Sequence, residues 1–586
     1  MNLKIRVSYL KGFPNRETFA RFNSEEQLVS IAANEFTDEQ LDTLVKRANE
    51  NPDHRGARGL VQRIAAYRNV RSAPTGKAVG RLELLETALR ATIEPTVNKW
   101  LFYDESDGYA LPYYVKSIQY NKATAYSEAH VDVNLKAVMR GKDEGRTLTF
   151  RKDDLGEPVN VMLNEKGFYL ETREAVEQFL GDVALYKARV SGTGTQYNAV
   201  GMGYLFNARS YLGYDEIAME REGSPTRVVL DDESDDGEAH RSSRSSRHDE
   251  TETSASTSYW TKKKSGERGK DEDEDEDEDA MTVGLPVHPY VKVFDLDKHE
   301  FVLIHIRSLS PYIYDKSAAD KLVLDDSTKD LVRILVDGAG EVMEDIVAGK
   351  TGGTIVISTG PPGTGKTLTA QVFSERIQRP LYVVQCSQLG TNEEAIETKL
   401  GDVLTRSTRW GAILLIDEAD VYIRERGDDI QQNAIVGIFL RVLETYRGVL
   451  FLTSNRATII DDAVLSRATA WVRYTLPTVE QLRRLWEVLS AQYQMPLTND
   501  LVTDLVRTFP RISGRNVKNF LKLASRLGRG LKKTTPDLAL FRHVAQYMDV
   551  DVSGVGPFVR PPTNGIGEPS SPPIRTKKRE KKEEGV

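Results

Sequence analysis

Short apolar segments alternate with helical periodicity along the second half of the chain. The apolar segments are TIVIS, LYVVQC, GAILLID and GVLFLTS, and helices are predicted at 327–346, from 365 onward, at 393–405 and at 429–445. Buried strands separated by helices are typical of a parallel sheet with helices on both faces. We therefore predict an α/β fold. From residue 478 the pattern is wholly helical, which predicts a C-terminal helical lid on that sheet.

The first half of the chain has a different pattern. Thr37 and Gln40 have the spacing of a capping box before an amphipathic run that contains Leu41 and Leu44, and a second helix is predicted over 79–93. From Trp100, aromatic and β-branched residues alternate with polar ones in LPYYVKSIQY, AHVDVNLKAVM, RTLTFRK and VNVMLNEKGFYLET, with a turn predicted at 142–145. This half is therefore predicted to be a mixed α/β region without an evident catalytic constellation.

Charge marks two further segments. The 586 residues include 79 Lys/Arg and 87 Asp/Glu, a net charge of -8, but residues 231–279 alone hold 19 acids and 8 bases, a net of -11. The last twelve residues hold six bases and three acids, so the rest of the chain is neutral. Such sequence cannot bury enough apolar surface to offset chain entropy, which predicts a disordered linker and a disordered basic tail. The nine-acid run at 271–279 is also compatible with docking on a basic partner or mimicking nucleic acid, and KKREKK with a nuclear-localisation or nucleic-acid patch; a spacer and a solvated tail are preferred.

Together these patterns predict seven segments. They are a mixed and helical region at 1–95, a β-rich module at 96–230, a linker at 231–281, lead-in strands and a helix at 282–350, a nucleotide-binding core at 351–476, a helical lid at 477–550 and a tail at 551–586. The single cysteine, Cys386, excludes an internal disulfide framework and a cysteine-rich zinc site. No signal peptide and no apolar run of membrane-spanning length is present, so we expect a soluble, cytoplasmic protein without a membrane partner.

A phosphate-binding loop follows the strand TIVIS. Residues 360–367, GPPGTGKT, match GxxxxGK[ST] in full and precede a predicted helix, as the mechanism requires. Glycines let backbone N–H groups surround phosphate oxygens, Lys366 would reach the β- and γ-phosphates of ATP, and Thr367 would offer its hydroxyl to Mg²⁺. The predicted ATP contacts in this segment are Gly360, Pro361, Pro362, Gly363, Thr364, Gly365, Lys366, Thr367 and Leu368.

Two acids end the later buried strand ILLID. Asp417 and Glu418 lie at its carboxyl end, the edge at which open α/β sheets bind ligands. Asp417 is suited to hold Mg²⁺ together with Thr367, and Glu418 to orient or deprotonate an attacking water. The pair complements the phosphate-binding loop about 50 residues earlier.

The motifs GPPGTGKT, ILLIDEAD, LFLTSNR and DDAVLSR together resemble those of the AAA+ ATPase family, over roughly residues 285–550. The resemblance implies a ring, usually a homo-hexamer, with ATP at each subunit interface and force transmitted to a bound client. It places sensor 1 at Asn455, the arginine finger at Arg467 with Arg473 as the rival, and sensor 2, a further ATP contact, at Arg515.

The segment at 387–391, SQLGT, departs from the family's pore motif, which carries an aromatic-hydrophobic-glycine triplet; only Leu389 and Gly390 retain part of it. The favoured interpretation is a remodeller of protein complexes whose N-terminal module, ranging on the acidic linker, recognises a protein client. The alternatives are a nucleic-acid motor or loader, for which the neutral chain offers no basic stripe, and a nucleotide-gated scaffold with negligible turnover.

Overall fold

A computed structural model describes residues 2–13, 28–51, 57–72, 77–105, 107–124, 127–140, 142–190, 192–206, 216–221, 224–231, 285–337, 353–390, 393–456, 460–530, 536–548 and 550. The predicted linker, apart from Asp231, and the predicted tail at 551–586 lie outside these residues. The chain divides into a larger unit, Met1–Leu322, Ser327–Thr359 and Thr367–Val472, and a smaller unit, Val323–Asp326, Gly360–Lys366 and Arg473–Val586.

The larger unit begins with a two-stranded antiparallel sheet and two helices. These elements are β1 (Asn2–Arg6), β2 (Leu28–Ala32), α1 (Asp38–Glu50) and α2 (Ala57–Ser72), with 3-10 turns at Val7–Leu10 and Ala33–Glu35. The predicted capping box opens α1: the N–H of Gln40 donates to Thr37 Oγ1 at 3.3 Å, and the N–H of Thr37 donates to Gln40 Oε1 at 2.9 Å. Leu41 and Leu44 are fully buried, as their spacing predicts.

A mixed sheet with helices follows. Its elements are α3 (Leu82–Ile93), β3 (Trp100–Asp104), β4 (Ala110–Asn121), β5 (His130–Met139), β6 (Lys142–Phe150), a 3-10 turn (Lys152–Asp154), α4 (Val159–Glu165), β7 (Phe168–Leu170) and α5 (Arg173–Arg189). Two local predictions are wrong. Residues 142–145 extend β6 along β5 instead of forming a turn, and the chain reverses near Arg140, whose φ is 51°. Residues 159–165 are helical because the buried Val159, Met162 and Leu163 follow i, i+3, i+4 spacing.

The next sheet draws strands from both sides of the acidic segment. Its strands are β8 (Gln196–Ala199), β9 (Met202–Leu205), β10 (Glu216–Ala218), β11 (Glu220–Arg221), β12 (Ser224–Leu230), β14 (Tyr290–Asp295), β15 (Glu300–His305) and β16 (Leu309–Pro311), while β13 (Val287–His288) joins β5 of the preceding sheet. The order is β10-β9-β15-β14-β12-β8-β16, with β11 on β12. Residues 282–350 are predicted to form lead-in strands and a helix before the nucleotide-binding core. In the structure β14, from this segment, pairs with β12, which precedes the acidic segment in the chain.

The nucleotide-binding core is built on a five-stranded sheet of order β18-β19-β20-β17-β21. Its elements are 3-10 turns at Ile306–Ser308 and Lys316–Lys321, α6 (Asp326–Asp337), β17 (Thr354–Thr359), α7 (Lys366–Ile377), β18 (Leu381–Gln385), α8 (Cys386–Leu389), α9 (Glu393–Arg409), β19 (Ile413–Asp417), α10 (Asp420–Ile423), α11 (Ile430–Thr445), β20 (Val449–Ser454), α12 (Asp462–Arg467) and β21 (Ala470–Arg473). β18, β19, β20 and β17 pair in parallel, which confirms the predicted α/β fold class.

Within the larger unit, the strands around the acidic segment pack directly on this core. The Phe294 ring of β14 lies 5.5 Å from that of Tyr382 and 5.0 Å from that of Trp410, centroid to centroid. Next to them the carboxylate of Asp231, the residue after β12, accepts hydrogen bonds from Trp410 Nε1 at 3.1 Å and from the Arg409 guanidinium. A buried aromatic cluster and a buried acid therefore join the two regions.

Residues 312–315 form a connector that leads from β16 toward the core, and hydrogen bonds to Glu375 hold it in place. The Tyr312 hydroxyl donates to Glu375 Oε1 at 2.6 Å, and the N–H of Asp315 donates to Glu375 Oε2 at 2.8 Å. Glu375 lies on α7, the helix that begins at the phosphate-binding loop. The connector is thus attached to the helix that carries the loop's lysine.

The described residues of the smaller unit form four helices, α13 (Val479–Gln492), α14 (Asn499–Thr508), α15 (Gly514–Gly530) and α16 (Leu538–Ala545). They pack around Trp486, Phe520 and Phe541, all fully buried, with the rings of Trp486 and Phe541 edge to face at 5.5 Å. The helical pattern after residue 478 is thereby confirmed. Within the parts of the chain that the structure describes, no helix combines the length and the apolar composition needed to span a membrane.

Candidate nucleotide site

The phosphate-binding loop depends on glycines at defined positions. Gly360, Gly363 and Gly365 have φ values of 143°, 78° and 104°, in a region that side chains with a Cβ rarely adopt. A Cβ at Gly360 would lie 2.1 Å from the carbonyl oxygen of Tyr474, and one at Gly363 would lie 2.6 Å from Cβ of Arg515. No larger residue fits at these two positions, so the glycine pattern is required by the backbone.

Lys366 directs its ammonium group back into this loop. Its Nζ donates to the carbonyl oxygens of Gly360 at 2.8 Å and Pro361 at 2.9 Å, and only 7% of the residue is exposed. Lys366 is also the first residue of α7, where unpaired N–H groups and the helix dipole favour an anion. Lys366 thus brings a buried positive charge to the N-terminus of α7.

The hydroxyl of Thr367 and the carboxylate of Asp417 meet in the larger unit. Thr367 Oγ1 donates to Asp417 Oδ1 at 3.1 Å, with Oδ2 at 3.3 Å, and Asp417 is the half-buried last residue of β19. Hydroxyl and carboxylate oxygens are the ligands that Mg²⁺ prefers in proteins, so these two residues fit the predicted ion. Glu418 follows with an exposed side chain and a φ of 56°, which is unusual for a residue other than glycine.

Cys386 lies beside these acids, and the pKa of its thiol is raised. Burial, reinforced by the negative charges of Asp420, Glu418 and Asp417, raises the pKa of its thiol to about 12. The thiol Sγ donates to the carbonyl oxygen of Glu418 at 2.9 Å. The thiol is therefore protonated at neutral pH.

The predicted sensor 1 and arginine-finger residues lie on neighbouring elements of the larger unit. Asn455 is exposed and directly follows β20. Arg467 ends α12, where its Nε donates to Glu444 Oε1 at 3.1 Å and its Nη1 donates to the carbonyl oxygen of Ala463 at 2.9 Å. The rival, Arg473, is the exposed last residue of β21. Glu444, which the sequence analysis missed, orients the Arg467 guanidinium within the subunit.

The predicted sensor 2 lies against the loop, inside the smaller unit. The N–H of Arg515 donates to the carbonyl oxygen of Gly363 at 3.3 Å, and its side chain is exposed. Ser513 and Asn516 form a reciprocal cap at the start of α15, with the N–H of Ser513 donating to Asn516 Oδ1 at 3.2 Å. The first turn of α15 is thus held beside Gly363 by backbone contact.

The remaining predicted ATP contacts are exposed or half-buried. Pro361, Pro362 and Leu368 are exposed, whereas Thr364 Oγ1 donates within the loop to the carbonyl oxygen of Pro361 at 2.9 Å. Leu389, which with Gly390 is predicted to retain part of the pore motif, is 1% exposed and packs into the core of the larger unit. Thr391 lies outside the described residues.

Comparison with known proteins identifies the core. Residues 356–476 match the family model described as "ATPase family associated with various cellular activities (AAA)". An ATP-dependent zinc metalloprotease FtsH 2 of Methylacidiphilum infernorum is 28% identical over 193 residues, which cover 30% of this chain and 30% of that protein. A putative 26S proteasome regulatory subunit homolog of Methanocaldococcus jannaschii is 27% identical over 179 residues, 29% of this chain and 48% of that protein.

A solved structure also matches part of the chain. It is titled "Structure of E. coli MS115-1 HORMA:CdnC:Trip13 complex", and the match covers 42% of this chain and 95% of that chain at 16% identity and a TM-score of 0.34. This chain matches less than half the length of each of the two curated relatives.

Proposed function

Because the chain belongs to the AAA+ ATPase family through the domain at residues 356–476, we propose that it hydrolyses ATP with Mg²⁺ as a ring-forming remodeller of protein complexes. The observation that carries this proposal is the pairing of a buried Lys366 ammonium, inside a glycine-rich loop, with a Thr367–Asp417 contact at the next residue of the chain. These are the groups that ATP phosphates and their metal ion need.

The proposed roles of the side chains follow from their chemistry. Lys366 and the loop N–H groups bind the phosphates of ATP, while Thr367 and Asp417 would hold Mg²⁺, which when bound neutralises charge on phosphate oxygens. Glu418, exposed beside Asp417, accepts a proton from the attacking water, and Asn455 orients that water. Arg467 enters the neighbouring subunit's site and stabilises the charge of the transition state.

Two observations support a remodelling function. The two relatives are named as an ATP-dependent zinc metalloprotease and as a homolog of a proteasome regulatory subunit, and residues 356–476 of this chain match the AAA family model. Leu389, the hydrophobic residue predicted to retain part of the pore motif, is buried and so would not grip a threaded polypeptide. We therefore place client recognition in the N-terminal region. The sheet in which β12 of that region pairs with β14 contacts the core through Phe294 and the adjacent Asp231, and these contacts would carry rearrangements of the core to the client.

Lys366→Ala should abolish ATP binding and, with it, hydrolysis. Removal of the buried ammonium leaves the γ-phosphate charge without its cation, which we expect to lower turnover at least about 100-fold. Binding of a fluorescent ATP analogue and phosphate release with Mg²⁺ measure the two effects. Lys518→Ala, at an exposed lysine of the lid, is the control and should leave both unchanged. Wild-type-like hydrolysis by Lys366→Ala would overturn the proposed site.

Arg467→Ala should retain ATP binding and lose about 1000-fold in turnover, because a finger acts on the transition state of the adjacent subunit. Arg473→Ala is the matched control, since Arg473 is the other arginine near the end of this segment. Equal losses of turnover in the two variants would contradict the assignment of Arg467 as the arginine finger.

Mixing variants tests whether the finger acts between subunits. An Arg467→Ala subunit keeps Glu418, and a Glu418→Gln subunit keeps Arg467, so a mixed ring contains sites with both groups. We expect the mixture to regain hydrolysis that neither variant shows alone. A mixture as inactive as its parts would exclude action in trans.

A further inference from the structure

Thr453 makes three contacts with the segment that carries both acids. It lies on β20, is 2% exposed, and its hydroxyl oxygen accepts the N–H of Glu418 at 3.0 Å. The same hydroxyl donates to Asp417 Oδ1, and the Thr453 carbonyl oxygen accepts the N–H of Ala419 at 2.8 Å. One buried residue therefore holds three consecutive positions, 417 to 419.

The contact coincides with an unusual backbone conformation. Glu418 has a φ of 56°, in the left-handed region, which residues with a Cβ adopt only where their surroundings fix it. The hydrogen bond from its N–H to Thr453 is such a constraint. This turn leaves Glu418 exposed while Asp417, one residue earlier, stays half-buried beside Thr367.

The hydroxyl of Thr453 both donates and accepts a hydrogen bond. A hydroxyl has one proton to donate and lone pairs to accept. Its proton goes to Asp417 and a lone pair receives the Glu418 N–H, while Thr367 supplies a second O–H to the same carboxylate. Valine at position 453 would remove both interactions at nearly constant volume, and serine would keep both.

We propose that Thr453 is the positioning residue that sets the orientation of Asp417 and Glu418 for metal binding and for activation of water. The inference rests on the proposed ATPase function, which assigns those tasks to the two acids. Thr453 contacts neither ATP nor water in this scheme, and acts through the acids. Groups of this kind, behind metal ligands, change metal affinity or activity by about 10- to 100-fold when removed.

The test compares three full-length variants with the wild type. Thr453→Val should lower kcat about 10- to 100-fold while KM for ATP changes about threefold or less. Thr453→Ser should restore kcat to about the wild-type value. Ser358→Ala is the control, because Ser358 is the register partner of Thr453 on β17 and its buried hydroxyl has no hydrogen-bond partner within the described structure. If Thr453→Val does not fold, as judged by its melting temperature, Thr453→Ala takes its place.

A second measurement is independent of turnover. Mn²⁺ in the presence of ATP, detected by electron paramagnetic resonance, should bind Thr453→Val about tenfold more weakly than the wild type or Thr453→Ser. Wild-type kcat and wild-type Mn²⁺ affinity in Thr453→Val would overturn the inference, as would a serine variant as impaired as the valine one.

The two proposals fail in different ways. If the wild type binds ATP and Mn²⁺ but does not hydrolyse ATP, the proposed function is wrong and the Mn²⁺ affinities still decide the role of Thr453. If the wild type hydrolyses ATP and the valine variant matches it, only the positioning role is lost. A wild type that binds neither ATP nor Mn²⁺ overturns both.

Discussion

Glu418→Gln is expected to bind ATP with the affinity of the wild type and to hydrolyse it at least about 1000-fold more slowly, within the range that a general base contributes. The amide keeps the size of the carboxylate but cannot accept a proton from water. Because the Glu418 side chain is exposed, the substitution should leave the fold intact. Single-turnover hydrolysis, together with equilibrium binding of a labelled ATP analogue, separates the chemical step from binding.

A neighbouring acid provides the control for this substitution. Glu425→Gln changes another exposed glutamate just beyond α10 and should retain wild-type turnover. Turnover by Glu418→Gln close to that of the wild type would remove Glu418 from the mechanism. A loss of ATP affinity instead of turnover would assign Glu418 to binding.

Asp231→Ala should lower the free energy of unfolding by about 2–3 kcal/mol. Its carboxylate is 1% exposed and accepts from Trp410 Nε1 and the Arg409 guanidinium, so its removal leaves a buried indole N–H and a partly buried cation without this acceptor. A fully buried pair would cost more, but Arg409 remains partly in contact with solvent. Urea unfolding followed by tryptophan fluorescence measures the change.

Two variants test the origin of that destabilisation. Asp297→Ala disrupts a similar Asp–Arg pair, with Arg227 at 3.7 Å and side chains 47% and 43% exposed, and should cost less than about 1 kcal/mol. Asp231→Asn keeps an oxygen that can accept from Trp410, so we expect a smaller loss than for alanine. If Asp231→Ala proves no more costly than Asp297→Ala, the buried acid does not hold the two regions together.

Local sequence signals predict much of the fold and of the site. The capping box at Thr37 and Gln40 is encoded within four residues, and the phosphate-binding loop within eight, so neither depends on distant chain. The core strands appear as apolar runs because they are buried in a parallel sheet. The Thr367–Asp417 contact follows from the strand-end rule, which brings the two segments to one edge of the sheet.

The elements and contacts that the sequence does not predict depend on tertiary packing. The alternation in VNVML is compatible with a strand, and only packing of Val159, Met162 and Leu163 on one side selects the helix. Thr453 and Glu444 carry no local motif, because their partners lie 36 and 23 residues away in the chain. The pairing of β12 with β14 is equally invisible, since a long charged segment separates the two strands.

During protein synthesis, β12 is complete well before its partner β14 is made. About 60 residues separate the end of β12 from the start of β14, so at typical elongation rates of about 5–20 residues per second the edge of β12 waits roughly 3–12 s for its neighbour. An unpaired strand edge is a template for association with other chains. The residues made during that interval carry the net charge of -11, and electrostatic repulsion between nascent chains opposes association while the sheet is incomplete.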